Sequence, residues 1–258
     1  MILENLITNI FGTKKLYEVN IKKLPSQGYF YPENLKIYIN KGDLDDQLRY
    51  YHGIDNSNIF GMISTLKNLL VNRVEFNLKD FIFDRLRAID IFFMFIEFIK
   101  HTTGKKLYIS GIEFNYNNFV YFDFDQFSKN YDPIKRAFVF GDWTFSLPSI
   151  GIETSLSQFS YKISINGETD RYKEKNYNLI YFLGDKNKLN YNDMINLIDL
   201  FEDLTDVHQE EVNTIVKSFS KSGLYFLIKI GKKAIRINPD MLKNIWPIED
   251  DDLSIYVS

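Results

Sequence analysis

The sequence predicts an α+β protein: an N-terminal β-hairpin and helices, a central antiparallel β meander, and a C-terminal helix pair with a β-hairpin. Three observations predict it. Apolar residues recur at i, i+3, i+4 in separate stretches toward both ends of the chain. Short apolar runs cluster in the middle, divided by Gly, Asn and Pro. Turn signals separate paired strand-like runs near each end.

Taken in order, Met1–Ile10 carries Leu3, Leu6, Ile7 and Ile10 as a helical stripe, too short to hold alone. Leu16–Ile21 and Leu35–Ile39 read as strands on either side of a turn. Asp43 is an N-cap for a helix over Asp43–Tyr51, with Asp45 and Asp46 where carboxylates suit the helix dipole. Gly53–Asn58 is expected to break it. Ile59–Val71 places Ile59, Met62, Ile63, Leu66, Leu69 and Leu70 on one face. A long apolar helix is expected from Asn77 or Asp80 to about His101, stopping at Thr102-Thr103-Gly104. Its centre, Ala88–Ile99, is shorter than the roughly 20 residues that cross a bilayer. Asp90 and Glu97 interrupt it. A buried core helix is the reading, with no membrane partner.

In the middle, Leu107–Ile109, Ile112–Phe114, Phe119–Phe124 and Ala137–Phe140 read as short strands separated by Gly111, Asn117-Asn118 and Asp132-Pro133. Trp143–Leu147 alternates until Pro148. Gly151–Gly167 is ambiguous between helix and strand, and Arg171–Leu183 reads as a helix weakened by Asn176 and Asn178. Asn190 caps a helix with Met194, Ile195, Ile198, Phe201 and Leu204 on one stripe. Thr205 or Asp206 opens the next, with Val212, Ile215, Val216 and Phe219 inward. Leu224–Ile230 and Ala234–Ile237 flank Gly231-Lys232-Lys233 as a hairpin, and Asn238-Pro239-Asp240 caps a last helix ending near Trp246. Two domains are expected, residues 1–147 and 148–258, with a single domain as the alternative.

The 258 residues are 45% hydrophobic and 25% charged, ordinary for a chain with a sizeable core. A net charge of −3 speaks against broad nucleic-acid binding. With no cysteine there is no disulfide, thiolate chemistry or Cys-ligated metal. The opening residues lack the charged start and small-residue cleavage site of a signal peptide. The 23 Phe and 17 Tyr accompany heavy Asn, Lys and Ile use, the bias of an AT-rich coding genome.

The densest signal is Ile21–Glu33. Pro25 fixes its φ and removes a donor, Gly28 accepts positive φ, and Pro32 extends Tyr31. Between the prolines lie Tyr29, Phe30 and Tyr31. Two readings stand: the rings tuck into their own domain, or they form an aromatic anchor for a partner on a stiff loop. In the second, Leu24, Pro25, Gly28, Tyr29, Phe30, Tyr31 and Pro32 are the partner-binding residues.

Catalytic chemistry finds little support. His52, His101 and His208 are the only histidines. His208 beside Glu210 and Glu211 comes nearest to a ligand set but reads as a solvated helix face. Asp123 and Asp125 read as turn residues. No phosphate-cradling glycine motif or nucleophile elbow occurs. The expectation is no enzyme, no catalytic residue, no cofactor and no metal.

The Leu-Pro-Ser-x-Gly-x-x-Tyr-Pro element, Leu24–Pro32, resembles that of T4-type bacteriophage baseplate hub and hub-assembly proteins. So does its continuation into a strand and an acidic-started helix, Leu35–Tyr51. A helix stopping before a hairpin, Arg85–Ile109, and a helix pair followed by a hairpin, Asn190–Ile237, are also similar. Some family members carry Cys pairs in such hairpins, like zinc ribbons; here packing must hold them. The resemblance implies a viral late protein of contractile-tail assembly. It would act in the host cytoplasm as a chaperone-like factor binding other tail and baseplate hub proteins. The alternatives are a structural baseplate subunit retained in the virion, or a nucleic-acid or host-protein binding module using Lys14-Lys15, Lys22-Lys23 and Lys232-Lys233. A hydrolase with an unrecognised carboxylate pair is the third.

Overall fold

A computed structural model describes residues 16–55, 59–109, 111–166, 189–222, 227–243 and 245–246. Strand β1 (Tyr17–Val19) and strand β2 (Ile37–Ile39) pair antiparallel across the Pro25–Pro32 loop, Tyr17 opposite Ile39. Helix α1 (Leu44–Asp55) and helix α2 (Ile59–Leu70) follow, and strand β3 (Val74–Phe76) returns to the far side of β2. The expected hairpin is therefore the first two strands of a three-stranded sheet with β2 central. Asp43 caps α1: its Oδ1 accepts the Asp46 N–H at 3.0 Å, and Asp46 Oδ2 accepts the Asp43 N–H at 3.0 Å.

Gly53 does not break α1. A Cβ there would lie 2.5 Å from the Thr65 side chain, so this glycine lets α1 approach α2 closely. The apolar helix also differs from expectation. Residues 83–85 and 88–90 form separate 3₁₀ turns, and helix α3 runs only over Ile91–Thr103. The reason is a competing pairing: the Ala88 N–H bonds the Pro148 carbonyl and the Ile150 N–H bonds the Leu86 carbonyl, each at 2.8 Å. Arg87 is held extended between them. Gly104 ends α3 in the left-handed region, as the Thr-Thr-Gly stop predicts. Ile91 to Ile99 are all buried, so α3 is packed all round.

Strand β4 (Tyr108–Ile109) and strand β5 (Ile112–Glu113) form a short hairpin, and strand β6 (Tyr131–Asp132), strand β7 (Ala137–Phe140) and strand β8 (Trp143–Phe145) form the meander. Phe119–Phe124 is not a strand. Phe119 packs into one core and Phe122 into another, and Phe119 makes only an isolated bridge to Ile228. The ambiguous segment after Pro148 is helix α4 (Ile150–Asn166), whose Ile152 N–H is capped by Ser149 Oγ at 3.2 Å. Residues 1–15, the Arg171–Leu183 reading and the acidic Glu249–Asp252 lie outside the described residues.

Asn190 and Asp193 make a reciprocal capping box at the start of helix α5 (Tyr191–Glu202), and helix α6 (Asp206–Ser222) follows. Strand β9 (Leu227–Ile230) and strand β10 (Lys233–Arg236) pair around Gly231, and helix α7 (Pro239–Leu242) is capped by Asn238.

Among the described residues, three apolar cores result. The first joins the β1–β3 sheet and α1–α3 to Ile228, Ile237, Leu242, Ile245 and Trp246 near the other end of the chain. Tyr50 O–H donates to the Leu242 carbonyl at 2.7 Å inside it. The second sets Phe138 and Phe145 of the meander against Val212, Val216 and Phe219 of α6. The third packs α4 on α5 through Ile152, Phe159, Met194 and Ile198. The first and second cores each draw on residues from both sides of the 147/148 boundary. A meander with one apolar face must bury it, and α6 covers it.

Candidate functional site

The Pro25–Pro32 loop is built around one buried carboxylate. Gln27 and Gly28 both have positive φ, 56° and 80°, which turns the chain sharply enough for the next rings to point inward. Asp90, fully buried at the start of α3, accepts the Ser26 N–H at 2.8 Å and the Tyr31 O–H at 2.6 Å. The Arg87 N–H in turn donates to the Tyr31 hydroxyl at 2.9 Å. The Arg87 guanidinium donates to the Leu147 carbonyl at 2.8 Å and the Phe30 carbonyl at 3.3 Å. Pro25 and Gln27 complete the set: the Pro25 carbonyl accepts the Phe122 N–H at 2.9 Å and Gln27 Nε2 donates to the Phe122 carbonyl at 2.7 Å.

Burial raises the Asp90 carboxyl to about 6 against the lowering effect of its hydrogen bonds, and burial lowers the Arg87 guanidinium. Burial, then Asp90, pushes the Tyr31 phenol well up. Tyr31 therefore stays a hydroxyl and donates to the carboxylate.

In the structure the rings of this loop turn inward. Leu24, Pro25, Phe30 and Tyr31 are buried, and Gly28, Tyr29 and Pro32 are half-buried. Phe30 is 3% exposed and meets Phe122 and Phe138 edge-on, each at 5.8 Å between centroids. Tyr29 stacks on Phe124 at 3.6 Å, and the Tyr131 hydroxyl donates to the Tyr29 carbonyl. The rings face inward because Ser26 and Tyr31, flanking them, are fixed to Asp90. The loop joins the first core to the second; it offers little surface to a partner.

Of the remaining sequence candidates, His208, Glu210 and Glu211 share one groove wall on α6, and the others are scattered. His208 is exposed on α6, its Nδ1 3.2 Å from Thr205 Oγ1. Asp123 and Asp125 are exposed beside a 3₁₀ turn. Lys23 lies over the Tyr116 ring at 4.4 Å, while Lys232 and Lys233 sit exposed at the β9–β10 turn. Among the described residues, no group of three or more His, Asp or Glu converges where a metal could sit. No helix among them is long and apolar enough to cross a membrane.

What sequence reasoning missed is an open groove of about 740 Å³ between the β7–β8 turn and α6. Phe140 and Trp143, directly opposite each other in the β7–β8 register, form one side. Leu204, Val207 and Ile215 form the other, and Asp142, Glu210 and Glu211 stand at its edge. One signal was available: Val207 is aliphatic but lies off the Val212, Val216 and Phe219 stripe, and it is 68% exposed.

No family model, characterised protein or solved structure matches this chain.

Proposed function

We propose that this chain is a baseplate hub assembly protein of a T4-type contractile tail, acting in the host cytoplasm by binding other tail and baseplate hub proteins. The observation that carries the reading is the Leu24–Pro32 element. Its residues serve the fold itself. Leu24 fills the first core, Gly28 turns the chain, and Tyr31 closes the hydrogen bond to Asp90.

A binding role also suits the chemistry present. The groove beside α6 offers half-buried rings, the half-buried Leu204 and Ile215 and the exposed Val207, which are the materials of a protein–protein contact. The structural-subunit alternative differs only in whether the chain stays in the particle.

The test is affinity purification of the tagged chain from phage-infected cells, with mass spectrometry of the bound proteins and of purified virions. Hub components bound to the chain, with the chain missing from virions, is the expected result. Its presence in virions at subunit stoichiometry would favour the structural role, and recovery of no tail component would refute both.

A further inference from the structure

We propose that the groove between the β7–β8 turn and α6 is the docking site for a basic amphipathic helix of a partner protein. This rests on the binding role proposed above and names the surface and the partner chemistry. Two independent features select that occupant.

The first is shape and polarity. Phe140 and Trp143 present half-buried rings from the hairpin, and Val207 and Ile215 face them from the helix. An apolar trough with one helical wall fits the apolar stripe of a second helix, whose side chains at i, i+3 and i+4 enter as a row. The second is charge. The lining carries Asp142, Glu210 and Glu211 against one imidazole, His208, with no Lys or Arg among its described residues. Asp206 on α6 and Glu202 and Asp203 at the end of α5 add three more exposed carboxylates next to it. A partner helix with Lys or Arg beside its apolar stripe is steered toward this edge, and an acidic one is repelled.

The test uses two fluorescently labelled amphipathic peptides with one leucine stripe, the polar face all Lys in one and all Glu in the other. Fluorescence anisotropy against the full chain should show the Lys peptide binding, weakening as salt is added, and the Glu peptide binding at least about tenfold more weakly. Glu210→Lys with Glu211→Lys should cost the Lys peptide about tenfold in affinity and flatten its salt dependence. Val207→Ser, at a position too exposed to threaten the fold, should weaken both peptides. Equal binding of the two peptides, or unchanged affinity in these variants, would overturn the assignment. Self-association that the Lys peptide competes away would put a second copy of this chain in the groove and overturn it too. The variants also separate the two claims. If they still recover hub components from infected cells as the wild type does, the groove assignment fails and the assembly role stands. If the wild type recovers none, the assembly role fails on its own.

Discussion

Replacing Asp90 tests the frame on which the loop is built. The carboxylate is fully buried and accepts from Ser26 and Tyr31 with the Arg87 guanidinium nearby. Asp90→Ala leaves the Ser26 N–H and the Tyr31 hydroxyl without their acceptor, a loss of about 1–3 kcal/mol for each. Asp90→Asn isolates the charge. Because burial raises the folded-state value to about 6 from an ordinary 3.8, the folded protein binds the proton more tightly than the unfolded chain. Stability from this group is therefore fully present below the unfolded value and is lost as pH rises through about 6. The full shift corresponds to about 3 kcal/mol, of which about 2 kcal/mol falls between roughly pH 4.5 and 7.5. Urea unfolding of wild type and Asp90→Asn across that range should show the difference, wild type minus variant, decreasing by about 2 kcal/mol toward high pH. A difference that stays constant with pH would refute the buried-carboxylate argument. A near-neutral Asp90→Ala would refute the network itself.

Further predictions concern the loop and the helix ends. Phe30→Ala should lower unfolding free energy by about 3–5 kcal/mol in urea, with Tyr29→Ala, half-exposed, costing less. Full stability in both variants would return the rings to the surface. Gly28→Ala combines a positive φ with a Cβ 2.8 Å from Ile21 Cγ2, and should cost more than about 1 kcal/mol by thermal unfolding. Asn190→Ala should lose about 1 kcal/mol and Asn190→Gly only a few tenths, the signature of a cap, checked by calorimetry.

The periodic elements were legible in the sequence, and so were several of their ends. The α1 N-terminus at Asp43, the α3 stop at Gly104 and the α5 start at Asn190 are written in local hydrogen-bonding chemistry, which needs no tertiary information. Pairings between distant residues were not legible. Leu86–Ala88 gives up helix for bonds to residues 148 and 150, and Phe119 and Phe122 go to separate cores instead of one strand. Gly53 reads as a breaker along the chain, yet α2 across from it makes it a contact. The loop followed the same rule. Its composition allowed the rings to face either way, and the choice was made by Asp90, 64 residues from Ser26. The groove was hidden for a related reason, since Trp143 and Val207 become neighbours only when α6 covers the meander.

Hydrogen exchange on the complex probes most directly the division of labour between an internal loop and an external groove. With a co-purified hub component bound, residues 204–215 and the 140–143 turn should gain protection, while residues 24–32, buried or half-buried in the free chain, should exchange as they do there. New protection at 24–32 with the groove unchanged would contradict it.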